Sequence, residues 1–251
     1  MFSQSQKQRD YFPRGLIQPT EGFRFSIDSL LLTCYSQLGL RERVLDLGTG
    51  CGVLSFGLLI RNLFKHAEII GVDISKEMIN MADENALRLG LDEHFLAKHK
   101  DVKDISSCRE FLPEEFDRVI CNPPYREYGR RSPYQGKNRA CFTSRDDLGD
   151  FVAAASYSLK NKGRFSLVFL VERLSLIMSL LKDYRLEPKR IRFVHSFKDQ
   201  SAHLFLLESR KNVNPGLSVD PPLIIYQEKS SKREFTDDIL TFCPFLRSNA
   251  S

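Results

Sequence analysis

The chain contains no Cys-x-x-Cys pair, no histidines at metal-ligand spacing, and no apolar run approaching the roughly eighteen residues of a membrane span. Its six cysteines, at 34, 51, 108, 121, 141 and 243, are scattered, so reduced thiols in a cytoplasmic protein are expected. The five histidines, at 66, 94, 99, 195 and 203, read as packing or surface residues, and no metal is expected. The first residues, Met1-Phe2-Ser3-Gln4-Ser5-Gln6-Lys7, lack the apolar segment of a signal peptide, and neither secretion nor a membrane anchor is expected. Internal repeats, low-complexity tracts and dividing linkers are also missing, which favours one α/β domain at 251 residues.

A further absence concerns the glycines. Val44-Leu45-Asp46-Leu47-Gly48-Thr49-Gly50-Cys51-Gly52 runs into the apolar stretch 53–64, giving strand, glycine-rich turn and helix in the order of a mononucleotide-binding unit. The glycines fall at 48, 50 and 52, and Val53 follows, so the G-x-G-x-x-G fingerprint of nicotinamide cofactors is not met. A ligand without a pyrophosphate is expected. Asp46, at the strand's end, puts a carboxylate where a cationic amino-acid group can sit. Ala67-Glu68-Ile69-Ile70-Gly71-Val72-Asp73 reads as a second strand ending in an acid able to accept from both ribose hydroxyls. Asp101, after a weak third strand at 95–99, reads either as an acceptor for an adenine amine or as a helix cap.

Asn122-Pro123-Pro124-Tyr125 lies directly behind the apolar strand Phe116-Asp117-Arg118-Val119-Ile120-Cys121. Those residue types suit methylation of a planar amine, whose lone pair is delocalised and nucleophilically poor. An Asn oxygen and a backbone carbonyl can each accept one N–H, directing the remaining electron density at an incoming methyl group. The two prolines fix φ and supply no competing N–H, so the Pro123 carbonyl is presented. Tyr125 offers a stacking face, and no general base is required. Asp220-Pro221-Pro222-Leu223 has the diproline without amide or aromatic, and reads as a loop entering a strand.

Together these motifs resemble the S-adenosylmethionine-dependent methyltransferases of the Rossmann-like class with an Asn-Pro-Pro-Tyr active site. Within that class, Glu21-Gly22-Phe23-Arg24-Phe25-Ser26-Ile27-Asp28-Ser29-Leu30-Leu31-Leu32 resembles the N-terminal signature of the bacterial tRNA1(Val) (adenine(37)-N6)-methyltransferase family. The segment from Ser201 to Lys211 resembles its late strand, with His203 as a departure, and Glu234-Phe235-Thr236-Asp237-Asp238 resembles its closing pattern. The resemblance implies a mostly parallel seven-stranded sheet with an antiparallel edge hairpin and helices on both faces. It implies a catalytic core at 41–251 behind an N-terminal extension and helix at 1–40, S-adenosylmethionine as cofactor, and tRNA as partner. Asn122, Pro123 and Tyr125 are then the catalytic residues. Asp46, Gly48, Gly50, Gly52, Asp73, Asp101 and Asn122 are the cofactor-binding ones.

A net charge of +5 favours a polyanionic partner only mildly. Its distribution says more: between 126 and 145, Arg126, Arg130, Arg131, Lys137, Arg139 and Arg145 face one acid, Glu127, and are interleaved with Tyr128, Tyr134 and Phe142. Such a segment leaving the active-site motif suits phosphates beside a flipped base. Lys7, Arg9, Arg14 and Arg24 form a second basic group. Glutamine N5-methylation of a release factor and guanine N2-methylation of rRNA share the amine chemistry, and a silent RNA-binding module is the non-enzymatic reading. Only 45 residues precede Asp46, too few for the helical substrate domain of the glutamine enzymes. A monomer is expected. Residues 1–20 are expected to be extended and 28–38 helical, followed by four strand–helix units, with helices at 75–89 and 146–160 and strands at 164–171, 191–197 and 204–209.

Overall fold

Val44-Leu45-Asp46-Leu47 is apolar on both sides because its strand is covered on both faces: Val44 enters one core cluster, Leu45 and Leu47 the other. The same alternation places Ile120 in the first cluster and Val119 and Cys121 in the second. In this computed structural model the described residues are 4–20, 24–62, 66–124, 145–228 and 233–249. They form strands β1 (Arg43–Leu47), β2 (Glu68–Asp73), β3 (Phe95–His99), β4 (Phe116–Cys121), β5 (Leu159–Leu170), β6 (Leu186–His195), β7 (Leu204–Lys211), β8 (Ser218–Val219) and β9 (Leu223–Ile224). The helices are α1 (Gln4–Asp10), α2 (Ile27–Tyr35), α3 (Val53–Arg61), α4 (Lys76–Leu89), α5 (Arg145–Ser158), α6 (Leu174–Asp183) and α7 (Asp237–Phe242). None of the described helices is long and apolar enough to cross a membrane.

The sheet runs β3-β2-β1-β4-β5-β7-β6-β8, with β9 also on β6. Strands β1 to β5 are mutually parallel, while β7 is antiparallel to both β5 and β6. This is the Rossmann-like arrangement, with residues of α2, α3, α4 and α7 in one core cluster and those of α5 and α6 in the other. Nine strands replace the expected seven, because β8 and β9 add two short parallel segments outside β6. Pro221 and Pro222, which lack an N–H for the ladder, separate them.

Three other expectations are corrected. Residues 4–10 are helical rather than extended, and Phe12 behind them is buried, edge-on to Phe245 at 4.9 Å. The helix expected to reach Lys160 ends at Ser158, and β5 begins at Leu159, opposite Phe116. Lys162, with φ of 64°, marks the irregular start of that strand. After β3 there is only a one-turn 3-10 segment, Val102–Asp104, where a full strand–helix unit was expected. By contrast α4 has the caps its sequence announces: Ser75 Oγ accepts from Met78 N, and Gly90 closes the helix in the left-handed region.

Candidate functional site

The chain passes outward from β1 to β2 and β3, then returns to lay β4 on the other side of β1. That reversal opens a crevice at the carboxyl ends of β1 and β4, where open α/β sheets bind ligands. Leu47 pairs with Cys121 there, so Gly48 and Asn122, the next residues of the two strands, emerge side by side. They line a narrow cleft, open to solvent, with Thr49, Gly50 and Cys51 of the glycine turn and Ser29 of α2. Gln18, Pro19 and Phe25 from the N-terminal segment line it too.

The turn is held from below by Asp46. This carboxylate is 1% exposed, and its Oδ2 accepts from Thr49 Oγ1 at 2.8 Å and Ser55 Oγ at 2.6 Å, while Oδ1 is buried with no partner. Burial pushes the Asp46 carboxyl up to about 6, against the opposing effect of the two hydroxyls. Gly71 on β2 makes this packing possible, since a Cβ there would stand 2.7 Å from Thr49 Oγ1. Gly52, with φ of 88°, is fixed by α3 instead: a Cβ would come within 2.2 Å of the Phe56 ring, and Gly52 does not line the cleft.

The raised Asp46 pKa has a sign that can be tested. The folded protein holds this proton more tightly than the unfolded chain, whose value is near 3.8, so the group's stability contribution is complete below that pH and lost as pH rises through about 6. Asp46→Asn should therefore raise the unfolding midpoint more at pH 8 than at pH 4, by at most on the order of 3 kcal/mol. An equal shift at both pH values would assign the effect to something other than ionisation.

Asp73, ending β2, spans the turn and the next helix: Oδ2 accepts from Gly50 N at 2.9 Å and Oδ1 from Ser75 N at 2.8 Å. Its pKa is raised, chiefly by desolvation and despite those two donors. Each of its oxygens retains a further lone pair. None of Asp46, Asp73 and Asp101 is among the residues lining the cleft: Asp46 and Asp73 hold the turn that does, and Asp101 caps the 3-10 turn, its Oδ1 accepting from Lys103 N at 3.0 Å. Asn122 is anchored on one side only. Its Nδ2 donates to Ser29 Oγ at 2.8 Å, leaving Oδ1 buried and without a partner. Pro123 follows it, buried. Tyr125 and the basic residues Arg126, Arg130, Arg131, Lys137 and Arg139 lie outside the described residues.

Sequence reading missed Ser29, Thr49, Ser55 and Asn85. Asn85, on α4 and buried, clamps the N-terminal segment to the glycine turn: its Oδ1 accepts from Ile17 N at 2.8 Å, and its Nδ2 donates to Ile17 O at 3.0 Å and Cys51 O at 3.1 Å. An Asn on the buried face of an amphipathic helix was the available signal. Ser29 falls inside the quoted N-terminal signature, yet its partner is 93 residues away. His203 precedes β7, its N–H donating to Val194 O and its carbonyl accepting from Val171 N.

A family model described as a methyltransferase domain matches residues 40–180, which run from just before β1 into α6. A tRNA1(Val) (adenine(37)-N6)-methyltransferase of Dyadobacter fermentans is 28% identical over 204 residues, covering 80% of this chain and 81% of its own. Its counterpart from Shewanella sp. strain MR-4 is 26% identical over 195 residues, covering 77% and 81%. Among solved structures, a predicted O-methyltransferase from Agrobacterium tumefaciens superposes with a TM-score of 0.69 at 21% identity, covering 87% of this chain and 96% of that one. The [4+2]-cyclase SpnF superposes at 0.56 and 14% identity over 78% and 85%, so likeness of fold alone does not fix the chemistry. It is the match across more than half of the sequence, carrying the glycine turn, Asp73 and Asn122 together, that places the chain: it belongs to the methyltransferase domain family and is a methyltransferase.

Proposed function

We propose that the protein uses S-adenosylmethionine to methylate N6 of an unpaired adenine in tRNA, namely adenine 37 of valine tRNA. The observation that carries this reading is the Asn122 amide, whose nitrogen is tied to Ser29 and whose buried oxygen has no partner. That oxygen is a fixed acceptor for one N–H of a planar amine, and the Pro123 carbonyl is the second. The names of the curated relatives support adenine in tRNA as the bearer of that amine.

The residues fit the donor. The partnerless Asp46 Oδ1 suits an ammonium group, the spare lone pairs of Asp73 suit two ribose hydroxyls, and Gly48 and Gly50 bring backbone to the cleft. Asp101 retains a lone-pair side for an adenine amine beyond its capping bond. When bound, S-adenosylmethionine supplies an electrophilic methyl group on a sulfonium. Tyr125 stacks on the extruded base, and Arg126, Arg130, Arg131, Lys137 and Arg139 meet the flanking phosphates. Loop adenines are favoured because the duplex major groove of RNA is too deep and narrow for side chains to read. The enzyme acts as a cytoplasmic monomer formed by one domain, residues 1–251.

Labelled donor incubated with total tRNA, followed by nucleoside identification, tests the reading: label is expected in N6-methyladenosine at position 37 of valine tRNA. Label in a release-factor glutamine or in guanine would overturn the substrate while retaining the amine chemistry. Asp73→Ala should weaken donor binding by about 1.5–3 kcal/mol in calorimetry, as loss of charge-assisted hydrogen bonds predicts. Unchanged affinity, or tighter binding of NAD, would reject the donor assignment.

A further inference from the structure

Two of the cysteines scattered along the sequence come together in the fold. Cys34 stands in the last turn of α2, and Cys243 caps the C-terminal end of α7, its N–H donating to Ile239 O at 2.8 Å. Cys243 Sγ donates to Leu30 O at 3.6 Å, and that carbonyl lies one helical turn before Cys34 and takes the N–H of Cys34 within α2. The two sulfurs are in hydrogen-bond contact, and both side chains are buried in the same core cluster, Cys34 at 6% exposure and Cys243 at 0%. Arg61, exposed at the end of α3, brings its guanidinium to Cys34.

The surroundings make the two thiols unequal. The hydrogen bond from Cys243, and after it the Arg61 charge, hold the Cys34 thiol below its ordinary value against the effect of burial, while the same hydrogen bond and burial push Cys243 far up. Burial pushes Cys51 up to about 11 and Cys121 well above the ordinary range. The thiolate is the reactive form and a neighbouring cation favours it, so Cys34 is the nucleophile among these four. We propose that Cys34 and Cys243 are a peroxide-responsive pair that closes a reversible disulfide between α2 and α7. The Cys34 sulfur attacks one oxygen of the peroxide, the O–O bond breaks, and the departing hydroxide takes up the Cys34 proton as water, leaving a sulfenic acid. The Cys243 sulfur then attacks the Cys34 sulfur, and the sulfenic hydroxyl leaves with the Cys243 proton as a second water. Two thiols are oxidised to one disulfide and one peroxide is reduced to two waters. The bond pins the C-terminal segment to the helix whose first turn carries Ser29, the partner of the Asn122 amide. The inference does not depend on the substrate reading given above.

The test is a peptide map of the full-length protein, reduced, treated with hydrogen peroxide and then alkylated without further reduction. A peptide linking Cys34 to Cys243 should appear, the two thiols should disappear together out of the six in the chain, and dithiothreitol should restore both. Loss at this pair should outrun loss at Cys51 and Cys121 by about tenfold or more, as their smaller thiolate fractions require. In Cys243→Ser the reaction should stop at the sulfenic acid, which dimedone traps on Cys34. In Cys34→Ser neither the disulfide nor a dimedone adduct on Cys243 should form. The wild-type map is decisive without either variant: Cys34 and Cys243 remaining open to alkylation while other thiols are consumed, or each linked to a different partner, overturns the pair. A dimedone adduct on Cys243 in Cys34→Ser, with none on Cys34 in Cys243→Ser, overturns the assigned roles.

Discussion

Asn122→Ala should lower the methyl-transfer rate by about 10²–10³ while leaving donor affinity within a few-fold of wild type, in line with removal of one preorganised polar group aimed at a reacting centre. The expectation follows from how the amide is held. Leu47 and Cys121 pair at the ends of two buried parallel strands, which fixes the backbone of Asn122 beside the glycine turn. Ser29 Oγ then accepts from Nδ2 at 2.8 Å, which places the amide with its oxygen turned away from Ser29. What remains is an oxygen already stripped of water, able to accept without reorganising. Ser29→Ala should therefore be damaging through the same route, lowering kcat by a smaller factor by freeing the amide to flip. Asn122→Asp retains the Oδ1 acceptor, while the Ser29 hydroxyl can turn to donate to the oxygen that replaces Nδ2, and should retain more activity than Asn122→Ala. Single-turnover transfer with calorimetric donor titration separates the effects; parallel collapse of donor affinity would move Asn122 from the reacting amine to the donor site.

The parts of this architecture that were legible in the sequence are those with local causes. Strands β1, β2 and β4 are short apolar runs because they are covered on both faces, and the Ser75 and Gly90 caps depend on residues within one turn of themselves. Where the cause is distant, the reading failed. Residues 4–10 carry no signal of their own, and their neighbour Phe12 is buried by Phe245 from the other end of the chain. Leu159 reads as a helix end by its flanking lysines, yet it pairs with Phe116 in the sheet, and Lys160 meets Asp117 across 2.7 Å. The candidate site divides in the same way. Asp46, Asp73 and Asn122 stand at strand ends that periodicity locates, whereas Ser29 and Asn85 act on partners 93 and 68 residues away.

Asp101 shows how one residue type can satisfy two readings. Its capping bond to Lys103 N accounts for its presence without any ligand. Asp73 is the contrasting case, because its two backbone bonds shape the turn that lines the cleft. A carboxylate whose two bonds build the turn ties its own position to the shape of the cleft, which Asp101 does not.

Arg118→Met should destabilise the protein by about 3–5 kcal/mol, the range for breaking a buried ion pair from one side. Arg118 sits in the middle of β4, fully buried, within a strand whose other inward residues are apolar. Its Nε donates to Glu42 Oε2 at 3.2 Å, its Nη1 to Ser166 Oγ at 3.1 Å and Glu208 Oε2 at 3.2 Å, and its Nη2 to Gln37 O at 2.6 Å. One guanidinium thus links the approach to β1, strands β5 and β7, and the segment leaving α2, whose first turn carries Ser29. Removing it leaves two carboxylates, each with a side chain about 15% exposed, without their shared counter-charge, and the cost is mainly theirs. Adding Glu42→Gln and Glu208→Gln to Arg118→Met should therefore recover a large part of the loss in chemical denaturation, although each is a mild change alone. Recovery of stability without recovery of methyl transfer would mean that the guanidinium also keeps α2, and through Ser29 the Asn122 amide, in register; no recovery at all would show that the lost hydrogen bonds to Ser166 and Gln37, rather than the stranded carboxylates, set the cost.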